Sequence, residues 1–161
     1  MDEIDTIKAQ WARQRPDLDT DPMALIGRLM RLAQHLSKEM AETFARFDLT
    51  GASFDVLATL LRSGPPHALS PNQLLSTMMI TSGTMTNRID QLEKQQLVRR
   101  IKSTEDRRSV QIALTEKGLA VIDEAVTAHV ATQIRLVSCL PDKEREELDQ
   151  LLRKYLAQIS D

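Results

Sequence analysis

The chain has 161 residues, of which 42% are hydrophobic, 27% charged and only 3% aromatic, and its formal net charge is −2 at pH 7. This length supports one substantial core, and aliphatic side chains must build it, which favours helices. No apolar run approaches the roughly 18 residues of a membrane span, and the acidic N-terminus does not resemble a secretory signal. A single cysteine, Cys139, excludes an intrachain disulfide. We therefore expect a cytoplasmic protein that makes no use of a membrane.

Hydrophobic periodicity predicts helices through the first third of the chain. Apolar side chains recur every three or four residues, so each predicted helix carries one apolar face. The lone tryptophan, Trp11, lies on such a face in the first helix, and Thr50 is a capping residue before the third. The predicted helices cover residues 4–14, about 22–47 and about 51–62.

Two short helices follow, joined by a tight turn. Ser70 is a cap followed by Pro71 at the first helical position, and this pair predicts a helix that ends near Thr77. Ser82 is predicted to cap a second helix over residues 83–94. Two short helices in this arrangement have the outline of a helix-turn-helix.

The periodicity then changes from helix to strand. Apolar and polar residues alternate over 110–114, which is a strand pattern, and residues 98–103 are its natural antiparallel partner. The charged segment 104–108 closes the hairpin. A β-hairpin directly after a helix-turn-helix is a wing.

Two amphipathic helices are predicted at the C-terminal end, over about 116–137 and after Pro141. With the N-terminal helices they carry apolar stripes that little else in the chain can bury, so we expect a symmetric homodimer rather than the alternative, a monomeric helical bundle. The fold class is mainly α with a small β-wing. The predicted organisation is N-terminal helices over 1–48, a winged helix-turn-helix domain over 49–115, and C-terminal dimerisation helices over 116–161.

The second helix of the helix-turn-helix has the composition of a DNA-reading helix. Met85, Ile89 and Leu92 define its buried face, and small polar side chains lie opposite, where they can approach base edges in the major groove. Two arginines at the hairpin tip suit a narrow minor groove. A plain helix cap and a solvated charged turn are the alternatives at these two places. The residues predicted to contact DNA are Ser82, Thr84, Thr86, Asn87, Lys94, Arg107 and Arg108.

Four ordered motifs make the sequence recognisable: TSGTMTNRI, LEKQQLV, DRRS and LTEKG. Together they resemble the multiple-antibiotic-resistance regulator (MarR) family, over about residues 25–160. Gln95 and Gln96 depart from the pattern, because the family usually has a glycine before its Leu-Val pair. The resemblance implies a triangular homodimer that binds palindromic operators, with two recognition helices in successive major grooves of double-stranded DNA.

A narrower likeness concerns four residues, Trp11, Asp55, Arg88 and Arg100, which resemble the signature of the urate-responsive branch of the family. The resemblance implies that Trp11 and Arg88 hold a small anionic ligand, that Asp55 lies beside it, and that Arg100 links binding to movement of the reading helix. Arg88 also falls on the inner side of its helix, where an unpaired guanidinium is costly. Packing, solvent exposure and phosphate contact are the alternative roles. Residues 15–29 are similar to relatives that sense trans-aconitate or citrate, so a urate-like and a tricarboxylate effector both stay open.

These observations predict a repressor that an anionic effector releases from its operator. A redox-responsive regulator acting through Cys139 is one alternative, and an interaction module without specific DNA binding is another. The sequence contains no nucleophile–base pair, metal motif or phosphate loop, so we expect neither an enzyme nor a cofactor. A metal site is not expected, because His35, His67 and His129 lack ligand spacing.

Overall fold

A computed structural model describes residues 1–78, 85–102 and 110–159 of the chain. It divides into two compact units, Met1–Glu39 and Met40–Asp161. The helices and strands, in chain order, are α1 (Glu3–Gln14), α2 (Asp21–Ala45), α3 (Gly51–Arg62), β1 (Ala68–Leu69), α4 (Pro71–Thr77), α5 (Met85–Lys94), β2 (Val98–Lys102), β3 (Val110–Leu114), α6 (Glu116–Val137) and α7 (Asp142–Ile159).

The first unit is an antiparallel pair formed by α1 and the beginning of α2. Arg28 of α2 pairs with Asp2 (Nε to Oδ2, 2.8 Å), whereas Lys8, further along α1, pairs with Asp21 at the start of α2. At the crossing, a Cβ added to Gly27 would lie 3.2 Å from the Ile4 side chain, so the absence of a side chain there lets the helices approach. No α1 residue is fully buried. Exposed ion pairs and the close contact at Gly27 therefore join α1 to α2.

The second unit contains the main hydrophobic core. Its sheet is antiparallel with strand order β1-β3-β2, and Arg100 of β2 lies opposite Ile112 of β3. The sheet and helices α3 to α6 enclose aliphatic side chains that include Leu57, Leu74 and Ile122, each fully buried. The result is a winged helix: two short helices, α4 and α5, packed on α3 and followed by the β2–β3 hairpin.

Long apolar surfaces remain uncovered within the chain. On α7, where no residue is buried, Leu151 is 65% exposed, and on α6 Ile134 is 60% exposed. In the first unit, Leu25 and Met30 of α2 are also exposed. Isolated exposed apolar residues are normal, but rows of them along helices mark surfaces that associate.

The predicted elements agree closely with the structure. The helices predicted at 4–14, 51–62 and 116–137 are confirmed, α2 ends at Ala45 rather than near Phe47, and both strands of the hairpin are present. The two-residue strand β1 was not predicted, because so short a segment has no periodicity. Among the described residues, no helix is long and apolar enough to cross a membrane.

Candidate DNA interface and effector site

The first helix of the helix-turn-helix, α4, begins with a capping box. The Ser70 hydroxyl accepts a hydrogen bond from the Gln73 backbone N–H (3.2 Å), and the Gln73 side chain accepts one from the Ser70 backbone N–H (2.9 Å). Pro71 occupies the first helical position, where its missing N–H is no loss. This local chemistry explains why a helix of only seven residues forms here.

The reading helix α5 presents the two faces that the sequence predicts. Met85, Ile89 and Leu92 are buried against the core. Thr86 and Asn87 are exposed in its first turn, where a hydroxyl and an amide can bond to base edges. Lys94 is also exposed, in the last turn. The predicted DNA contacts Ser82, Thr84, Arg107 and Arg108 lie outside the described residues.

The C-terminus of α5 is closed by a Schellman motif. The Leu97 N–H bonds to the Leu92 carbonyl (2.9 Å) and the Gln96 N–H bonds to the Glu93 carbonyl (2.9 Å). Gln96 has a φ of 61°, which is the left-handed conformation that glycine favours. Gln96 therefore forms the turn at the place where the family usually has a glycine, and it does so in a conformation that is strained for a residue with a side chain.

The junction between α5 and β2 is attached to the start of α6. Thr115 caps α6 and also donates to the Gln96 carbonyl (2.7 Å), and Lys117 Nζ donates to the Gln95 carbonyl (2.9 Å). Gly118 approaches so closely that an added Cβ would lie 1.9 Å from the carbonyl oxygen of Leu97. A shift of the first turn of α6 must therefore move the end of the reading helix as well.

Arg100 connects the wing to the reading helix. Its Nη2 lies 2.5 Å from Asp90 Oδ1, it also pairs with Glu93, and its backbone N–H donates to Glu93 Oε1 (3.2 Å). Both carboxylates belong to α5. The structure thus places Arg100, which the resemblance assigns to coupling, in contact with the DNA-reading helix itself.

Asp55 lies half-buried on α3 among charged groups. Burial raises the pKa of its carboxyl, and the positive charges of Arg62 and Arg88, followed by His129, partly oppose this rise. Asp55 and Arg88, two of the four predicted effector residues, are therefore close enough to interact. Arg88 is itself half-buried on α5. A half-buried guanidinium such as that of Arg88 is a group that can pair with an anion.

Trp11 belongs to the first unit, on α1, where it is 40% exposed. It is anchored in no core there, since no residue of α1 is buried. Its assignment to the effector site stays a prediction from the resemblance.

His129 is a member of this group that the sequence did not identify. Its ring packs against the stacked pair of Phe44 and Phe54, with centroid distances of 5.0 and 4.9 Å, and its Nδ1 is buried with no hydrogen-bond partner among the described residues. Burial lowers its pKa, and the negative charge of Asp55 opposes the change. The available signal was its position on α6, in register with the buried Ile122 and Ala125.

The sequence analysis also considered Cys139 and the chance of a metal site. Cys139 is exposed just after α6, and its Sγ lies 3.7 Å from the Leu136 carbonyl oxygen. Within residues 1–78, 85–102 and 110–159, no cluster of three or more His, Cys, Asp or Glu side chains is arranged to hold a metal.

Comparison with known proteins agrees with this architecture. The profile of the MarR family matches residues 49–110. The HTH-type transcriptional regulator PecS of Dickeya dadantii (strain 3937) is 39% identical over 150 residues, which cover 93% of this chain and 90% of that protein. The HTH-type transcriptional repressor YetL of Bacillus subtilis (strain 168) is 26% identical and is covered to 90% of its length.

Solved structures show the same fold. A MarR-like transcription regulator from Bacillus cereus ATCC 10987 superposes with a TM-score of 0.77 at 21% identity, covering 88% of this chain and 100% of that one. A mutant of MarR from E. coli, complexed with operator DNA, superposes with a TM-score of 0.71 at 24% identity, covering 85% and 97%. The chain belongs to the MarR family of winged helix-turn-helix transcriptional regulators.

Proposed function

We propose that this protein is a homodimeric repressor that binds a palindromic operator and is released from it by a small anion. The observation that carries this proposal is the position of α5. One face of this helix is packed into the core of a MarR-type winged helix, while Thr86 and Asn87 face outward. The MarR mutant from E. coli with the same fold is complexed with operator DNA, and YetL is a repressor.

The uncovered apolar rows support a dimer. Residues such as Leu151 and Ile159 on α7, and Ile134 on α6, are too exposed for a chain that functions alone. A symmetric pair of chains buries such rows against each other and places two reading helices on one duplex. Light scattering at micromolar concentration tests this part, with Leu151→Glu/Ile159→Glu expected to yield monomers.

The charges around Asp55 support control by an anion. Arg88 belongs to the reading helix yet is half-buried and interacts with Asp55, so a ligand that pairs with Arg88 acts directly on α5. Citrate presents carboxylates, and urate is a planar anion with carbonyl oxygen atoms. A guanidinium can form two parallel hydrogen bonds with groups of either kind. A coupling free energy of about 1–3 kcal/mol is enough to change operator occupancy several-fold.

The decisive experiment measures operator affinity during titration with urate and, separately, with citrate. The duplex is one that the wild-type protein selects from a random-sequence library. We expect at least one anion to weaken the wild-type complex, and Arg88→Ala to reduce this response relative to its own ligand-free affinity, with Arg88→Lys intermediate. An undiminished response in Arg88→Ala would contradict the proposed site.

A further inference from the structure

Arg62, the last residue of α3, contacts the reading module at one specific atom. Its Nη2 donates a hydrogen bond to the main-chain carbonyl of Thr77, at 2.6 Å. Thr77 is the last residue of α4, and its hydroxyl donates back into its own helix, to the Gln73 carbonyl. The carbonyl oxygens in the last turn of a helix receive no hydrogen bond from a backbone N–H of the same helix. A cation at this end also interacts favourably with the helix dipole.

The hydrogen bond from Arg62 to Thr77 bears on the position of the helix-turn-helix. The α4 and α5 helices are the two helices of the helix-turn-helix and both pack on α3, so a restraint on the end of α4 also bears on the placement of α5. Arg62 is exposed, and a single charge-assisted hydrogen bond of this kind adds little to the stability of a core that is already packed. Its geometry is nevertheless directional, so it restrains the end of α4 with respect to α3.

The same guanidinium also acts on Asp55. Asp55 precedes Arg62 by seven residues on α3, which is about two helical turns, so the two side chains leave the helix on the same face. The positive charge of Arg62 lowers the pKa of the Asp55 carboxyl more than the charge of Arg88 does. This influence acts through space, without a hydrogen bond between the two side chains. Arg62 thus lies between the candidate effector site and the end of α4.

We propose that Arg62 is a positioning residue that holds the C-terminal end of α4 and couples Asp55 to the placement of the reading helix. This inference rests on the proposed function, since it concerns the same site. An anion that enters beside Asp55 competes for the guanidinium and draws it from the Thr77 carbonyl. The end of α4 is then released, and the two reading helices of the dimer lose their spacing on the operator.

The first test compares Arg62→Gln, Arg62→Lys and a charge-matched control, Lys143→Gln, which lies exposed on α7. The probes are the duplex selected by the wild-type protein and a scrambled duplex of the same length. We expect Arg62→Gln to weaken binding of the selected duplex about five- to tenfold, with Arg62→Lys restoring most of the loss. Binding of the scrambled duplex should change by less than about twofold, because Arg62 does not act as a phosphate contact.

Two results would overturn the inference. An equal loss on both duplexes, with a smaller dependence on salt, would make Arg62 a phosphate contact instead. A loss accompanied by a lower melting temperature, and shared by Arg62→Lys, would make it a structural residue only. Thermal unfolding of each variant by circular dichroism provides this second readout.

The coupling to Asp55 is tested by a double-mutant cycle of Asp55→Asn and Arg62→Gln on affinity for the selected duplex. We expect the effects to be non-additive, with Asp55→Asn changing affinity at least about threefold less in the Arg62→Gln background than alone. The matched cycle uses Asp123→Asn, an exposed acid on α6, and should be additive. Additivity in the Asp55 cycle would remove the coupling. If the wild-type protein selects no duplex, the proposed function itself fails, whereas unchanged selectivity in Arg62→Gln contradicts only this inference.

Discussion

Arg100 Nη2 of strand β2 lies 2.5 Å from Asp90 Oδ1 of helix α5, so the wing and the reading helix are joined by an ion pair. The pair extends to Glu93 one turn further along α5. Since both carboxylates belong to the helix and the arginine to the strand, these ion pairs restrain β2 and α5 with respect to each other.

Arg100→Gln should therefore impair operator binding more than it impairs folding. The pair is partly exposed, so we expect the free energy of unfolding to change by less than about 1 kcal/mol. Affinity for the selected duplex should fall about threefold to tenfold, comparable to partial loss of one base contact. The measurements are urea unfolding and fluorescence anisotropy, with Arg99→Gln, its neighbour on the opposite face of β2, as the control. Equal losses in both variants would refute a specific clamp.

Gln96→Gly should stabilise the protein. The left-handed conformation of Gln96 costs a residue with a side chain about 1–2 kcal/mol, whereas glycine adopts it freely but loses more chain entropy on folding. We expect a net gain of about 0.5–1 kcal/mol in the free energy of unfolding, measured by urea denaturation at fixed protein concentration. Gln96→Ala keeps the strain and should show no gain.

Gly118→Ala should strongly destabilise the protein. The new Cβ would lie 1.9 Å from the Leu97 carbonyl oxygen, which is backbone and cannot rotate away. We expect a loss of about 2 kcal/mol or more, together with weaker operator binding, because the junction of α6 with the reading helix must shift. Gly51→Ala is the matched control: its Cβ would meet Phe44 at 3.8 Å, an ordinary contact. Similar behaviour of the two variants in thermal melts would contradict the proposed close approach.

His129 should make stability depend on pH. Burial lowers its pKa in the folded protein, so the unfolded chain takes up the proton first as the pH falls. The contribution of His129 is therefore complete above its unfolded pKa of about 6.5 and declines as the pH drops below that value toward the lowered folded pKa. Unfolding free energies between pH 5 and about pH 8 should show this slope in the wild type.

His129→Phe keeps an aromatic ring packed against Phe44 and Phe54 and should flatten the slope. The Asp55 carboxyl titrates with the opposite sign, because burial raises its pKa. A His129→Phe protein with the full wild-type slope would show that another group is responsible.

Local patterns were sufficient to place most elements. Ser70 and Pro71 predict the start of α4, Thr115 predicts that of α6, and both caps are present with the expected hydrogen bonds. The inward face of α5 was also predictable, because residues three and four apart must share one side of a helix. Two features were not predicted. The strand β1 is too short to show a pattern, and the neighbours of His129 in the sequence do not indicate that its ring interacts with a carboxylate on another helix.

The order of the helices and of the two hairpin strands, the caps, the buried face of α5 and the family all follow from the sequence alone, because each depends on residues close together in the chain or on ordered motifs. Only the tertiary structure decided that Asp55 lies within electrostatic range of His129, Arg62 and Arg88, that Arg62 reaches the Thr77 carbonyl, and that Arg100 pairs with carboxylates of α5. Most of these interactions join groups from different elements. Their distances depend on how a shared core packs, and no local pattern encodes that.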